Sequence, residues 1–534
     1  MREMHHFEVT FEMWARRWLV PDVDGVDLLY AAGLLLSLSS LRSNGYVQPD
    51  EWFQSVELAA RDVLGKRVWV AWEWGGSDDP LFGDGKDRWS PCRSASFPLY
   101  AAHLPLLLLR AALGGGARAL AAPGAVEVAP RAAALAASLA QDAVLGRLWR
   151  RCGLSADEAR VAVALRRCSW AAALLEARPF SNGYEALFVS LAGLFAVDGR
   201  ALALGALTAV GVWCRFSFAA FAAPLGLHAV AVAPSRAAAV FKGAAGFLGV
   251  AFLLIALDTA YFADVAGGAV VVAPYRNFRF NADAANLARF GLHARWTHAF
   301  VNLPLLYLPI LRYVRTPATR NGRAVAASAA LGLAALSLAP HQEPRFLLPT
   351  GAAVYALAAP AVAALPRRRR LLLAWCAFHA AQVAFWGRAH QGGVAPLVKR
   401  LAAANPPANA ATCAHVLFLG TYLPPRSLSG PGDGLLLHDF ENDVAGFGRR
   451  LDALLGALGG LPCRAHAFKV AVAEAADKGP LVDALAARRA FLAHEAAFAP
   501  HFSGEIPPRR LEDLALGLYD VRGPDGAPWL YTPD

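Results

Sequence analysis

The chain has 534 residues and a formal net charge of +10; 56% of its residues are hydrophobic and only 17% are charged, for a mean hydropathy of +0.37. A soluble domain carries about 25% charged residues, so this much apolar surface cannot be hidden in a water-soluble core and the chain is read as a bilayer protein. The basic residues sit between apolar runs, the pattern that orients membrane helices, which sets nucleic acid aside as a partner.

The chain opens with a segment at 1–25 that carries Arg16 and Arg17 and reads as cytosolic. The first apolar run, 26–41, starts late and lacks a small-residue cleavage site, so it reads as a signal anchor. Further runs lie at 97–113, 132–149, 160–176, 183–197, 200–214, 217–233, 241–262, 300–314, 323–340, 346–366 and 371–387. Their lengths of about 15–22 residues suit helices crossing a hydrocarbon core. The run near 160 is the least typical, because it holds Arg166 and Arg167. Basic residues cluster in short connectors, among them Arg147, Arg150, Arg151, Arg236, Lys242, Arg315, Arg320, Arg323 and Arg367 to Arg370. If these all face the cytosol, the alternation closes only when a Gly/Ala-rich stretch at 115–129 also crosses, making thirteen spans.

The expected fold is therefore an all-α polytopic membrane protein with about 11–13 transmembrane helices over 26–389, and luminal loops at 42–96 and 263–299. From about residue 390 the composition changes. A strand-like run, His415 to Tyr422, and helical patterns at 442–458 and 480–498 predict a small C-terminal luminal α/β domain over 390–534. The seven cysteines form no CxxC and no zinc spacing. Cys413 and Cys463, both in the tail, are a disulfide in an oxidising compartment or two free thiols; the sequence leaves both open.

The long luminal connectors hold the acidic, aromatic, His and Asn residues, so the active side is read as luminal. Asp50 and Glu51 follow Pro49, which stiffens the backbone near the membrane surface. Asp50 is read either as a helix N-cap or as a general base that deprotonates an attacking hydroxyl, with Glu51 second. Trp72 and Glu73 mark an interfacial anchor or a sugar-stacking surface. Arg178 and Arg215 stand at luminal helix ends, where they hold a phosphate or snorkel. The 274–298 loop offers Asn286, His293, Arg295 and His298 for sugar hydroxyls; its two histidines have no acidic partner, so no metal site is expected. His341, Glu343 and Arg345 lie between two apolar helices, where charge is costly and defaults to a functional reading.

His341-Gln-Glu-Pro-Arg-Phe346 resembles the H-(K/Q)-E-x-R-F signature of the dolichol-phosphate-mannose-dependent mannosyltransferases of glycosyltransferase family 22, which have the GT-C fold. Arg178-Pro-Phe-Ser-Asn182, Arg215-Phe-Ser217 and Asp258-Thr-x-Tyr261 resemble its shorter motifs. Within that family the segments around Pro49 to Ser55, Asn286 to Pro304, His341 to Arg345 and Thr421 to Arg426 are most similar to the branch that adds a fourth, α-1,2-linked mannose to GPI-anchor precursors. Two positions depart from that branch: Gln48 stands where it usually has His, and Ala294 where it usually has Pro. The resemblance covers about 42–430.

The resemblance implies an inverting transfer of mannose from dolichyl phosphate mannose to a GPI glycolipid in the lumen of the endoplasmic reticulum, by a monomer embedded among membrane lipids. It implies Asp50 as base with Glu51 second, and Arg178, Arg215, His341, Glu343 and Arg345 at the donor. Trp72, Glu73, Asn286, His293, Arg295 and His298 are the expected acceptor contacts, with no metal and no cofactor. The alternatives are another family 22 enzyme, adding the third GPI mannose or an N-glycan mannose, and a membrane transporter. A transporter calls for two related halves, and no such repeat is visible.

Overall fold

The computed structural model describes residues 24–75, 91–113, 123–288, 291–404, 412–429, 434–460 and 463–533. Residues 1–23, with Arg16 and Arg17, lie outside them, as do 76–90 of the first long loop. The described chain is a helical bundle followed by a small α/β domain packed on one end of it.

Asp24 starts the first helix, Gly25–Ser40, by accepting the N–H groups of Val26 (2.8 Å) and Asp27 (3.1 Å) at Oδ1. Among the described residues three helical segments are long and apolar enough to cross a membrane: Arg236–Tyr261, Arg320–Leu338 and Pro344–Ala363. The first of these turns Phe241, Leu248, Phe252 and Leu253 outward, a face suited to hydrocarbon rather than water. It lies hard against Ala201–Cys214, where a Cβ on Gly205 would meet the Gly243 carbonyl oxygen at 1.9 Å. Such close backbone approach is how helices pack where lipid offers no hydrophobic drive.

Two sequence expectations change. The run at 97–113 does not pass through the bundle. Ala95 N–H bonds Asp258 (2.9 Å), His103 bonds Asp62 (2.9 Å), and Arg110 donates to the Val63 carbonyl (3.2 Å), so the whole segment stays beside the first long loop. Its buried residues Ala102 and Leu106 pack with Trp52, Phe53 and Val56. Leu104, Leu107, Leu108 and Leu113 are exposed, so the helix is apolar on two sides and read as a span for that reason. The stretch proposed as a thirteenth span divides: 123–129 opens the helix Pro123–Arg151, and 115–122 lies outside the described residues.

Arg166 and Arg167, the oddity of the fourth run, end a true helix, Ala156–Arg167. Arg166 is paired with Asp142 and Glu176, and Arg167 with Asp142, all four side chains being buried. Two cations against two carboxylates leave no uncompensated charge inside the bundle.

The C-terminal domain holds a sheet of order β2-β1-β3-β5-β4, with β6 beside β3. Its strands are β1 (Thr412–Leu419), β2 (Leu435–Asp439), β3 (Ala465–Ala473), β4 (Phe491–Phe498), β5 (Leu516–Arg522) and β6 (Leu530–Tyr531). β1 runs parallel to β2 and β3; β4, β5 and β6 are antiparallel to their neighbours. The helices Phe447–Ala457 and Gly479–Ala486 cover one face. The other face packs Val416, Phe418 and Leu437 onto Trp52 and Phe53 of the first loop. The helical pattern at 480–498 holds only to Ala486; Phe491–Phe498 pairs with β5 instead, sheet pairing overriding an alanine-rich local preference. Cys413 and Cys463 are disulfide-bonded.

A polar seam fixes this domain to the bundle. Glu57 accepts Ser427 N–H (2.8 Å), Lys66 donates to the carbonyls of Ser427 (2.6 Å) and Ser429 (2.9 Å), and Tyr46 donates to Leu423 O (2.9 Å). Burial lowers the Lys66 ammonium to about 8, partly offset by Glu57.

Candidate active site

Between the loop end of the bundle and the C-terminal domain lies a cavity of about 1190 Å³. Its bundle wall is assembled from chain-distant pieces: Gln48 and Asp50 from the first loop, Trp72, Glu73 and Arg93 further along it, Arg215 after the helix Ala201–Cys214, and His341, Glu343 and Arg345 before Gly351–Ala363. Leu423, Asp439, Glu441 and Arg450 close it from the C-terminal side.

Pro49 sets up the first element. Its carbonyl accepts the N–H groups of Trp52 (2.9 Å) and Phe53 (3.1 Å), which starts a helical turn at Asp50 that widens into a π-helical turn over Trp52–Val56. Asp50 and Glu51 therefore point in different directions. The Asp50 carboxylate, 30% exposed, meets Arg345 Nη2 at 2.7 Å. Glu51 is buried away from the cavity: Arg131 holds Oε1 through Nε and Nη2 (both 2.7 Å), and Arg178 holds Oε2. Both guanidiniums are themselves buried.

The geometry corrects two expected placements. Glu51 has no path to an acceptor hydroxyl, and Arg178, fully buried and bonded to Glu51 and Ser43 Oγ (2.8 Å), does not line the cavity. Both Glu51 oxygens are taken, while Arg178 keeps a buried Nε without a partner among the described residues, away from the cavity lining.

Arg345 is the hub. Its Nε meets Glu343 Oε2 at 2.7 Å, its plane lies over Phe180 (5.3 Å) and Phe346 (5.4 Å), and its buried Nη1 has no hydrogen-bond partner among the described residues. Glu343 also accepts from Gln48 Nε2 (3.0 Å) and His341 Nε2 (2.8 Å). Burial would raise the Glu343 carboxyl, but Arg345 and His341 hold it well below the usual range. Both His341 ring nitrogens face oxygens, Glu343 Oε1 and Gly291 O (3.2 Å). Burial opposes the charged ring, and the bond to Glu343 outweighs it, so the His341 pKa is raised. Gln48, at the position where the resembled branch has His, thus supplies a neutral donor to Glu343.

Arg215 is paired with Glu185 (3.0 Å), bonded to Ser181 Oγ (3.1 Å), and stacked over Phe346 (5.1 Å). Trp72 stacks on Phe280 with ring centroids 4.2 Å apart. Glu73 meets Arg93 at 2.8 Å, and burial pushes its carboxyl up against the opposing pull of Arg93. Arg93 is not among the expected site residues, and only folding sets it opposite Glu73, twenty positions away in the chain. Asp258 accepts Ser94 Oγ and Ala95 N–H, both at 2.9 Å, and so positions that strand of loop.

The other four expected acceptor contacts are also corrected: Asn286, His293, Arg295 and His298 do not line the cavity. Asn286, His293 and Arg295 each engage a backbone group, and the His298 ring meets Asn302 Nδ2 (3.0 Å). Asn286 donates to Phe280 O (3.2 Å), and His293 Nδ1 accepts Gln342 N–H (3.2 Å). Arg295 donates to Leu338 O, and buried His298 gives its N–H to Gln342 Oε1 (2.8 Å). Gln342 in turn donates to Ser337 O and Ala339 O, both at 3.1 Å. These residues brace the turn that aims His341 and Arg345.

The architecture is that of a membrane glycosyltransferase of the GT-C fold. ArnT from Cupriavidus metallidurans, solved bound to undecaprenyl phosphate, superposes with a TM-score of 0.56 at 12% identity, covering 95% of this chain and 99% of that one. Residues 28–422 match the Alg9-like mannosyltransferase family. A human protein named GPI alpha-1,2-mannosyltransferase 4 is 31% identical over 444 residues, 73% of each chain. GPI mannosyltransferase 4 of Yarrowia lipolytica is 28% identical over 442 residues, 77% of this chain and 78% of its own. The chain belongs to the Alg9-like mannosyltransferase family.

Proposed function

We propose that the chain transfers mannose from dolichyl phosphate mannose to the third mannose of a GPI-anchor precursor, forming an α-1,2 bond with inversion. The relatives named for GPI mannose transfer support the acceptor class. The observation that carries the chemistry is the contact of Asp50 with Arg345 in the wall of the cavity, where Arg345 keeps one buried N–H unpaired.

In this reading Asp50 takes the proton of the acceptor hydroxyl as that oxygen attacks the anomeric carbon of mannose. The bond from that carbon to the phosphate oxygen breaks on the opposite face, and dolichyl phosphate leaves as an anion. Arg345, with Arg215 and His341 nearby, stabilises the charge that develops on it. One displacement forms one glycosidic bond and breaks one, so it needs no covalent enzyme intermediate.

In this reading eleven of the described segments cross the membrane: 25–40, 123–151, 156–175, 181–197, 201–214, 218–232, 236–261, 298–307, 320–338, 344–363 and 368–389. With 97–113 lying alongside the first loop, an odd number of crossings puts the N-terminus and the C-terminal domain on opposite sides without a thirteenth span. The ion cluster of Asp24, Asp157, Arg160 and Arg368 marks the other end of the bundle. We place the cavity in the endoplasmic reticulum lumen, and the Cys413–Cys463 disulfide supports an oxidising compartment. The enzyme acts as a monomer among membrane lipids in this reading.

The test is a microsomal assay with labelled dolichyl phosphate mannose. A trimannosyl GPI precursor should accept mannose, and a dimannosyl GPI precursor or an N-glycan lipid intermediate should not. Transfer to either of the latter in preference moves the chain to another branch of its family.

A further inference from the structure

The cavity has two walls of different origin. The bundle wall, with Asp50, Arg215 and Arg345, falls inside the segment that matches the whole mannosyltransferase family, residues 28–422. The opposite wall falls beyond it: Asp439 and Glu441 at the end of β2, and Arg450 and Ala453 on the helix Phe447–Ala457.

The walls also differ in what they offer. The guanidiniums of Arg93, Arg215 and Arg345 stand on the bundle wall, where the buried Arg345 Nη1 has no hydrogen-bond partner among the described residues. On the C-terminal wall Glu441 occupies the guanidinium of Arg450 (Nη2 to Oε2, 2.6 Å). Asp439 Oδ1 accepts the Glu441 N–H at 2.7 Å. Burial raises the Asp439 carboxyl to about 6, with Glu441 and Glu505 adding to the effect. Carboxylates accept hydrogen bonds from sugar hydroxyls and repel phosphate; on the bundle wall Asp50 and Glu343 are matched by Arg345 and Glu73 by Arg93, whereas the C-terminal wall sets Asp439 and Glu441 against Arg450 alone. A phosphate-linked donor therefore belongs on the bundle wall, and a neutral glycan on the other. The seam through Glu57, Lys66 and Tyr46 holds the two walls at a fixed separation.

We infer that the C-terminal domain is the acceptor-selecting wall: Asp439, Glu441 and the Ala453 side of the helix Phe447–Ala457 bind the acceptor glycan opposite the family-wide catalytic wall. The inference rests on the proposed mannosyl transfer and adds where acceptor choice is made. It places the chemistry common to the family on one side of the cavity and the discrimination between glycan acceptors on the other.

The experiment uses the full-length enzyme in membranes, with labelled dolichyl phosphate mannose and a trimannosyl GPI glycolipid varied independently. Asp439→Ala removes an acceptor of hydroxyl hydrogen bonds, and Ala453→Trp narrows the same wall without touching an ion pair. Asp439→Ala should raise the KM for the acceptor glycolipid about tenfold, the loss of a hydrogen bond to a charged group, and Ala453→Trp should raise it by crowding the glycan, while the KM for the donor holds in both. The inference is overturned if both variants keep the wild-type acceptor KM, or if the donor KM rises in step. If wild-type enzyme ignores the trimannosyl glycolipid, the reading of function fails, and the same two variants assayed on the acceptor that it does use still decide the wall.

Discussion

Two of the clusters of arginine and carboxylate in this molecule are built to opposite ends. Inside the bundle Arg166 and Arg167 meet Asp142 and Glu176, with Gln141 Oε1 (2.6 Å from Arg166) and the Ser138 carbonyl (2.8 Å from Arg167) taking further N–H groups. At the cavity Arg345 meets Asp50 and Glu343, yet one N–H stays unpaired and Asp50 keeps 30% of its side-chain surface open. The first cluster is saturated and sealed, which makes it a strut. The second is unsaturated and open, which leaves capacity for a substrate. The Glu51 cluster is sealed like the first, with Arg131 and Arg178 both held on its carboxylate, although Arg178 Nε has no partner among the described residues. Neighbouring carboxylates, Asp50 and Glu51, thus fall on opposite sides of that division.

The largest expected effect tests the open cluster. Asp50→Asn should lower turnover about 10²- to 10⁴-fold, the usual contribution of a general base, with the thermal unfolding midpoint in detergent nearly unchanged. Full activity in this variant would make the Asp50–Arg345 contact a second strut. The saturated cluster predicts the reverse pattern. Arg166→Leu strands buried Glu176, while Arg167 stays on Asp142, and should cost about 3–5 kcal/mol of stability, read as loss of folded protein. Transfer per folded molecule should persist, and a selective loss of turnover would erase the contrast.

A milder change probes how Arg345 is aimed. Glu343→Gln keeps the shape but weakens the charged bonds to Arg345 and His341, and transfer should fall about 10- to 100-fold. An unchanged rate would mean that Asp50 alone orients the guanidinium. The smallest effect is a pH dependence. Unfolded histidine titrates near 6.5, and the His341 pKa lies above its ordinary value in the folded chain. Its attraction to Glu343 is then fully present below about pH 6.5 and is lost as pH rises through the raised value. His341→Gln should flatten the unfolding midpoint across that window, measured by thermal scans from about pH 6 to pH 8.5. A slope that survives the substitution assigns the titration to another group.

What the sequence determined by itself was the solvent and the signature. Apolar runs and basic connectors announce a membrane bundle because hydrocarbon forces backbone polar groups into helices, and that constraint acts on each segment alone. The run from His341 to Arg345 stood out for a related reason: charge between two apolar helices needs an explanation wherever the chain goes. The tertiary structure decided which apolar helix crosses and which polar residue faces the cavity. The 97–113 run has the composition of a span, but its bonds to Asp258, Asp62 and Val63 keep it beside the loop, and those partners are distant in sequence. Asn286, His293, Arg295 and His298 look like sugar contacts by residue type, yet backbone groups engage the first three and Asn302 meets the His298 ring. Nothing local told Asp50 from Glu51. Where a carboxylate ends up depends on which guanidinium reaches it, and Arg131, Arg178 and Arg345 arrive only when the bundle closes.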